Sequence, residues 1–251
     1  MIMTKQIYDR QETDTALMAL RHLAIGLPEP FALIGGWATY LTVNESYSHE
    51  HGSPYLGSRD IDLGFHIDPS WGEAALMDSN FSRALIVLRE NGYAPHGSFR
   101  YCKMMKRETG NVLTEEQAKR EPSHEIINLF VDMMVDNIHS MHKQIFKVDP
   151  LDEPLISRIF DENCGVMLDM NDFQVMIPPP HILLEMKLKS IVGRQAGDKL
   201  LKDACVIYAI MWHSPAKIGN LAQRVRMEYP DRCMSVWDTI TGEVAVEASV
   251  I

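Results

Sequence analysis

The stretch Phe31–Leu63, FALIGGWATYLTVNESYSHEHGSPYLGSRDIDL, decides the fold that this chain is predicted to have. It starts with the apolar run Phe31–Ile34, which predicts a short buried strand. Gly35 and Gly36 follow, and because neither carries a Cβ, the backbone can turn sharply there and approach a ligand closely. Residues Trp37–Val43 predict the opening of a helix whose free N–H groups point back at the glycines. A glycine turn before a helix N-terminus predicts an anion site.

A second predicted strand, Arg59–Ile67, carries two carboxylates. Strand side chains alternate between faces, so Asp60 and Asp62 project together. Adjacent carboxylates repel each other unless a cation lies between them, and Mg²⁺ is the usual one because it also binds substrate phosphates. Alone, a D-x-D is most often solvated and a Gly-Gly is most often a turn. In the order strand, Gly-Gly, helix and D-x-D strand, they indicate phosphoryl or nucleotidyl transfer.

A third carboxylate lies in the apolar segment Glu125–Asp136, EIINLFVDMMVD, which predicts a strand. A charge in such a run is costly unless it is paired or bound to a metal, so Asp132 is a candidate ligand. Antiparallel pairing of this segment beside the Asp60 strand would bring Asp132 to the same site. Asp136 lies about 13 Å further along a regular strand and is a weaker candidate.

The secondary structure that the sequence predicts changes after Pro150. We predict a catalytic core over residues 1–150 and, over residues 151–251, a hairpin followed by helices that complete the cleft. The predicted class is α+β, with a mixed β-sheet core flanked by helices and a mostly helical C-terminal region. Residues 235–251 remain unassigned.

The first C-terminal helix is led by proline and carries Lys187 and Arg194, which are two turns apart and therefore on one predicted face. Such cations are most often solvated. The functional interpretation is a cationic face that offsets the charge of a triphosphate.

Composition narrows the class of protein. The net charge of −10 argues against general coating of nucleic acids and against binding to anionic membranes. The four cysteines lack C-x-x-C spacing, which favours free thiols in a reducing compartment over a zinc site. The first residues lack the apolar core of a signal peptide, and the longest apolar stretch is too short to span a bilayer. We therefore predict a cytoplasmic protein with no membrane partner.

Two further clusters have competing interpretations. His49 and His51 fall in a predicted loop, Asn44–Gly57, where a solvated pair is favoured over a metal site. A local basic cluster lies in the predicted 96–125 hairpin. It could meet RNA or a triphosphate, although a solvated face is the favoured interpretation. Its members are Arg100, Lys103, Lys106 and Arg107.

The motifs resemble those of the nucleotidyltransferase superfamily, which has the DNA polymerase β-like fold. The resemblance is strongest to small antibiotic nucleotidyltransferases and to nucleotidyltransferase toxins of the abortive-infection type. It is carried by Gly35-Gly36-Trp37-Ala38, Ser58-Arg59-Asp60-Ile61-Asp62-Leu63 and Val131-Asp132-Met133-Met134, and further along by Lys187, Arg194, Lys202 and Asp203. This chain departs from the family pattern in three ways: a longer spacing from Gly36 to Asp60, Gly-Gly in place of Gly-Ser, and Val206 where an aspartate is common.

The resemblance implies an enzyme that uses Mg²⁺ or Mn²⁺ to transfer a nucleoside monophosphate from a nucleoside triphosphate, such as ATP, with release of pyrophosphate. The implied metal ligands and catalytic residues are Asp60, Asp62 and Asp132, and the implied nucleotide-binding residues are Gly35, Gly36, Ser58, Lys187 and Arg194. The acceptor stays open among a small molecule, a protein hydroxyl and an RNA 3′ end. The alternatives are a non-catalytic nucleotide- or partner-binding module and a toxin with an antitoxin partner. A homodimer is also open.

Overall fold

The computed structural model describes residues 9–170, 172–192, 194, 197–239 and 241. The chain packs into two compact units. The first, here called the sheet unit, comprises Tyr8–Trp37 and Gly57–Ile177. The second, the helical unit, comprises Ala38–Leu56 and the described residues from Pro178 onward. These units differ from the predicted ranges 1–150 and 151–251, because residues 38–56 group with the C-terminal helices and the hairpin before Pro178 groups with the sheet.

The sheet unit contains one mixed, nine-stranded sheet. Its main path has the order β3-β4-β6-β2-β1-β9-β8, while β5 pairs with β4 and β7 pairs with β6. The strands are β1 (Ala32–Ile34), β2 (Asp60–Phe65), β3 (Ala94–His96), β4 (Arg100–Lys106), β5 (Val112–Leu113), β6 (Ile126–Val135), β7 (Leu151–Asp152), β8 (Val166–Asp169) and β9 (Gln174–Ile177).

The central strands β2 and β6 run parallel, with Asp62 opposite Asp132. The predicted antiparallel pairing of these two segments is therefore wrong, although it placed Asp132 beside the correct strand. The direction follows from the connection: the chain leaves β2, passes through helices and the β3–β4 hairpin, and returns to β6 along a long crossover. Parallel neighbours require a crossover of this kind, whereas a short hairpin makes antiparallel ones.

Helices of the sheet unit flank this sheet. The first helix packs against β2 and β6 with buried side chains that include Leu20 and Leu23. Its N-terminus is capped by the Asp9 carboxylate, which accepts a hydrogen bond from the Gln11 N–H. The helices are α1 (Arg10–Gly26), α3 (Glu73–Met77), α4 (Asn80–Glu90), α5 (Glu115–Ala118), α6 (His142–Phe146) and α7 (Leu155–Asp161), and α2 (Gly35–His51) begins in this unit.

The helical unit contains the rest of α2 and four further helices. These are α8 (Pro180–Ile191), α9 (Asp198–His213), α10 (Ile218–Glu228) and α11 (Pro230–Thr239). Helix α2 continues to His51, so the predicted loop is wrong for residues 44–51. No glycine or proline interrupts residues 38–51, and the helix ends where Gly52 adopts a φ of 68°. Serine, asparagine and histidine favour turns only weakly, and an uninterrupted helix overrides that preference.

The predicted α+β class, with a mixed sheet flanked by helices and a mostly helical C-terminal region, is confirmed. Within the part of the chain that the structure describes, none of the helices combines the length and the apolar character needed to span a bilayer. The sequence predicts that the C-terminal hairpin turns at Asn171-Asp172, and Asn171 lies outside the described residues, as do 240 and 242–251 of the unassigned segment.

Lowering the pH from 7 to 4 is expected to reduce the free energy of unfolding through His142. This side chain is 1% exposed and contacts the rings of Phe81 and Phe146. Burial, with a smaller contribution from the charge of His139, lowers its pKa from 6.5 to about 4. Between these values the unfolded chain binds a proton that the folded chain excludes. The contribution of the neutral His142 side chain to the free energy of unfolding is therefore complete above pH 6.5. It decreases toward pH 4, by up to about 3 kcal/mol.

Urea unfolding of the wild type and of His142→Leu at several pH values between 7 and 4 measures this loss. The variant should show a weaker dependence on pH, because leucine keeps the apolar contacts and cannot bind a proton. His22→Leu, at an exposed position, is the matched control and should keep the wild-type dependence. Parallel pH profiles for the wild type and His142→Leu would contradict the assignment.

Candidate functional site

The glycine turn between β1 and α2 packs directly against the aspartate strand. Gly35 adopts a φ of 64°, a left-handed conformation that favours glycine. A Cβ added at Gly35 would overlap the Asp62 carboxylate, and one added at Gly36 would lie 2.7 Å from Ser58 Oγ. Gly35 is therefore favoured by conformation and by contact, whereas Gly36 is favoured by its contact with Ser58 alone. The N-terminus of α2, whose dipole favours anions, begins at this turn.

The carboxylates of Asp60 and Asp62 lie on the partly accessible face of β2, since Ile61 and Leu63, which alternate with them, are fully buried. Asp62 faces Asp132 across the β2–β6 pairing. Asp132 is 5% exposed, as the surrounding apolar residues predict. The structure thus places the three aspartates predicted as ligands on two neighbouring strands, with Asp62 and Asp132 at one level of the sheet and Asp60 opposite Phe130.

Asp136, the weaker candidate, has a structural partner instead. Its Oδ2 lies 2.5 Å from His66 Nδ1, and its Oδ1 accepts a hydrogen bond from the Ile67 N–H at 2.8 Å. Both contacts lie past the end of β2, where they hold the chain that leaves the strand.

The residue that sequence reasoning missed is Arg100. It lies on β4 directly opposite Asp132, and its guanidinium donates two hydrogen bonds of 2.6 Å to the two Asp132 oxygens. The same group lies 3.7 Å from Asp60 Oδ2 and 4.5 Å from the centre of the Phe130 ring. The hydrogen bonds to Asp132 raise the pKa of Arg100, and the charges of Asp132, Asp60 and Asp62 raise it further. Arg100 is therefore an internal cation that bridges two of the predicted ligands.

A signal for this role exists in the sequence. Residues 98–106 alternate well enough to predict a strand, which gives the Arg100 side chain a definite face, but the sequence does not show which strand lies beside it. The rest of the basic cluster also has partners. Lys106 Nζ lies 3.1 Å from Glu121, Arg107 pairs with Asp9 and Glu12, and Lys103 lies over the Tyr93 ring at 5.6 Å. Because these side chains have partners within the protein, the contacts argue against an RNA-binding surface at this cluster.

The chemistry of the site fits a hard cation only in part. Asp60 Oδ1 is buried and has no hydrogen-bond partner, which is a cost that an ion could remove. Carboxylate oxygens are also the ligands that Mg²⁺ prefers. Asp132, however, is held by Arg100 through both of its oxygens. Among the described residues, the three aspartates are not a group whose ligand atoms all lie within 4.8 Å of one another. Asp60 and Asp62 are therefore the better candidates for holding a metal.

The predicted cations Lys187 and Arg194 belong to the helical unit. Helix α8 ends at Ile191, so Arg194 lies beyond it, and the prediction that both share one helical face is wrong. Both cations instead meet Asp203, with Arg194 Nε at 2.9 Å and Lys187 Nζ at 3.8 Å from its carboxylate.

Arg100→Met is expected to destabilise the chain by about 3 kcal/mol, because it leaves the buried Asp132 carboxylate without its partner. Combining it with Asp132→Asn should cost less than the sum of the single variants, with a coupling of about 1–3 kcal/mol. Urea unfolding of the wild type, the two single variants and the double variant measures this coupling.

The matched control is the exposed pair Arg83–Asp78, whose side chains are 54% and 78% accessible and lie 2.5 Å apart. The same cycle with Arg83→Met and Asp78→Asn should give a coupling below about 1 kcal/mol. Equal couplings for the two pairs would show that burial adds nothing to the Arg100–Asp132 interaction.

The fold and site together define an α+β protein with carboxylates beside a glycine turn at the start of a helix. The chain is similar to a solved structure described as an antigenic nucleotidyltransferase-like protein from Paracoccidioides brasiliensis. The TM-score is 0.48 and the identity is 16%, over 89% of this chain and 93% of that one. No family model matches the sequence, and no curated protein matches it. Because this likeness is too distant to assign an activity, the proposals below rest on the residues of this chain.

Proposed function

We propose that this protein is a Mg²⁺-dependent nucleotidyltransferase, which transfers a nucleoside monophosphate from a nucleoside triphosphate to a hydroxyl acceptor and releases pyrophosphate. The observation that carries the proposal is the packing of the Gly35-Gly36 turn against Asp62 and Ser58 at the start of α2. An anion-binding helix terminus and carboxylates that can hold a divalent cation then lie side by side. A nucleoside triphosphate with its magnesium ion requires both.

Asp60 and Asp62 are the residues that would hold Mg²⁺. When bound, the ion supplies positive charge to the phosphate oxygens and makes the acceptor hydroxyl more acidic. The buried Asp60 Oδ1 supports this role, because it makes no hydrogen bond and has only a 3.8 Å ion-pair contact with Arg59 Nε, so coordination would satisfy it. Mn²⁺ has similar ligand preferences and is the expected substitute.

Groups of the glycine turn would bind the triphosphate. The Gly35 and Gly36 backbone can approach phosphate oxygens because no Cβ stands in the way. Ser58 lies against Gly36 and offers a hydroxyl at the same turn. The role of Lys187 and Arg194 in offsetting the charge of a triphosphate stays a prediction from the sequence. Their shared partner Asp203, which is 4% exposed, holds both cations on one carboxylate within the helical unit.

Asp132 would accept the proton of the acceptor hydroxyl. The acceptor oxygen then forms a bond to the α-phosphorus, and the bond from that phosphorus to the bridging oxygen of pyrophosphate breaks. Asp132 can act in this way only after Arg100 releases it. A guanidinium binds phosphate as readily as carboxylate, so we propose that Arg100 transfers to the triphosphate when the nucleotide binds.

The test is incubation of the full chain with Mg²⁺ and each of the four α-labelled nucleoside triphosphates, with pyrophosphate release as the readout. Transfer of label is followed separately to the protein itself, to a pool of small hydroxyl compounds and to RNA with a free 3′ end, because the acceptor class is open. Release with one nucleotide and one acceptor class supports the proposal. Nucleotide binding without release in any combination contradicts it.

A second candidate is a non-catalytic nucleotide- or partner-binding module on the same fold, and the Arg100–Asp132 pair favours it. In this view Arg100 supplies permanently the positive charge that a metal would supply in an enzyme. Nucleotide binding would then be independent of Mg²⁺ and would weaken in Arg100→Met. In the enzyme, binding and pyrophosphate release both require Mg²⁺, so titrations with and without the ion separate the two functions.

A further inference from the structure

A second group of metal-ligating side chains lies in the helical unit. Among the residues that the structure describes, Glu50, His51 and His213 are the group in which one ligand atom from each residue lies within 4.8 Å of the others. The sequence favours a solvated pair for His49 and His51, because their predicted loop offers no nearby carboxylate or cysteine partner. In the structure, His51 ends α2 next to Glu50, and His213 of α9 is the third member of the group.

The position of this group favours a cation. His51 is the last residue of α2, and His213 is the last residue of α9. The C-terminus of a helix carries a partial negative charge of about −0.5, because its last carbonyl groups have no partners within the helix. Two such termini and the Glu50 carboxylate therefore create a negative potential at the point where the two imidazoles meet.

His213 has a buried nitrogen without a partner. The residue is 2% exposed, and its Nε2 makes no hydrogen bond. Its Nδ1 lies 3.2 Å from Ser46 Oγ and 4.0 Å from Glu50 Oε2. A buried polar atom left unsatisfied is costly, and in native proteins an ordered water or an ion usually accounts for it.

The groups around the cluster hold its members in place. The Trp212 indole N–H donates to Glu50 Oε2 at 3.3 Å, which orients the carboxylate. The Tyr47 ring lies 4.3 Å from the His51 ring and 5.1 Å from the His213 ring. Metal-binding histidines and carboxylates are typically fixed by partners of this kind, which reduce the entropy lost when an ion binds.

We propose that Glu50, His51 and His213 bind a divalent transition-metal ion of the zinc class. Two imidazoles and one carboxylate suit Zn²⁺ and its first-row neighbours, whereas Mg²⁺ prefers oxygen ligands throughout. Three protein ligands leave a coordination position for water or for a further ligand. The ion would join the ends of α2 and α9 and so stabilise the folded helical unit by mass action. The site shares no residue with the proposed nucleotidyl-transfer site, so either proposal can fail alone.

The test is a titration of the untagged, chelator-treated full chain with Co²⁺ and with Zn²⁺, in excess Mg²⁺ to occupy hard oxygen sites. Co²⁺ is followed by its visible absorption, which reports nitrogen ligands, and Zn²⁺ by competition with a chromogenic chelator. We expect one equivalent to bind and the midpoint of thermal unfolding to rise. Glu50→Gln and His51→Ala alter exposed residues that the fold tolerates, and each should weaken binding more than about 100-fold. Ser46→Ala removes an outer partner and should weaken it about tenfold.

The matched control is His49→Ala, which removes an exposed histidine of the same helix outside the cluster. It should bind both ions as the wild type does. The proposal is overturned if the wild type shows no saturable binding, if His51→Ala keeps the wild-type affinity, or if His49→Ala weakens binding as much as His51→Ala does. Asp60→Asn should leave this binding unchanged, which separates the site from the aspartates of the sheet unit.

Discussion

Replacing Asp60 and Asp62 together by asparagine is expected to reduce pyrophosphate release at least about 10³-fold, because the carboxylates proposed to hold Mg²⁺ are then lost. A bound divalent ion stabilises phosphoryl-transfer transition states by several kcal/mol, and each 1.36 kcal/mol changes the rate tenfold. Asparagine has nearly the same shape as aspartate, so the fold should persist. Steady-state rates at saturating Mg²⁺ and nucleotide, with circular dichroism to check the fold, measure the effect.

Asp14→Asn is the matched control, because Asp14 is an exposed aspartate of α1 whose side chain is 67% accessible. It should release pyrophosphate at the wild-type rate. If the double variant of Asp60 and Asp62 keeps the wild-type rate, any activity of the chain arises elsewhere and the proposed site is wrong. If excess Mn²⁺ partly restores a single Asp62→Asn variant, the role of the carboxylate as a metal ligand gains direct support.

Gly35→Ala is expected to have the second largest effect, since it combines two costs. Placing a Cβ in a left-handed conformation costs about 1–2 kcal/mol. The Cβ would also overlap the Asp62 carboxylate, and relieving that contact brings the expected total to about 3 kcal/mol. Displacing Asp62 by about 1 Å should lower the transfer rate about 10²-fold as well. Urea unfolding and the pyrophosphate assay measure the two effects separately.

Gly52→Ala separates backbone strain from the steric contact. Gly52 has a φ of 68°, close to the 64° of Gly35, but a Cβ added there would meet nothing within 4 Å. It should therefore cost only about 1–2 kcal/mol. Equal destabilisation by the two substitutions would mean that Gly35 is required for its conformation alone, and the packing of the glycine turn against Asp62 would lose its importance.

Local patterns in the sequence predicted much of the sheet unit. The run Phe31–Ile34 before two glycines predicted β1 and the start of α2, and alternation in Arg59–Ile67 predicted β2. After Ser79, apolar residues recur with helical spacing at Phe81, Ala84, Leu85 and Leu88, and these are the buried side chains of α4, whose N-terminus Ser79 caps. These predictions succeeded because periodicity, glycine conformation and capping act over a few neighbouring residues.

The partners of the charged residues could not be predicted in this way. Arg100 and Asp132 are 32 residues apart, and Lys187 and Asp203 lie on different helices. Their pairing depends on which strands or helices become neighbours, a choice made by the packing of the whole core. The sequence predicts a loop at His51 because residues 44–57 are rich in serine, histidine, glycine and proline, and its approach to His213 arises only when α2 and α9 pack together.

The sequence by itself determined the strands β1, β2 and β6, the start of α2 and the glycines before it, since each of these depends on side-chain chemistry and short-range backbone preference. The tertiary structure alone decided that β6 runs parallel to β2, that Arg100 takes both oxygens of Asp132, and that Glu50, His51 and His213 meet. The physical reason is that strand order and helix packing depend on burying the apolar faces of all elements at once. A pattern over a few neighbouring residues does not contain that information.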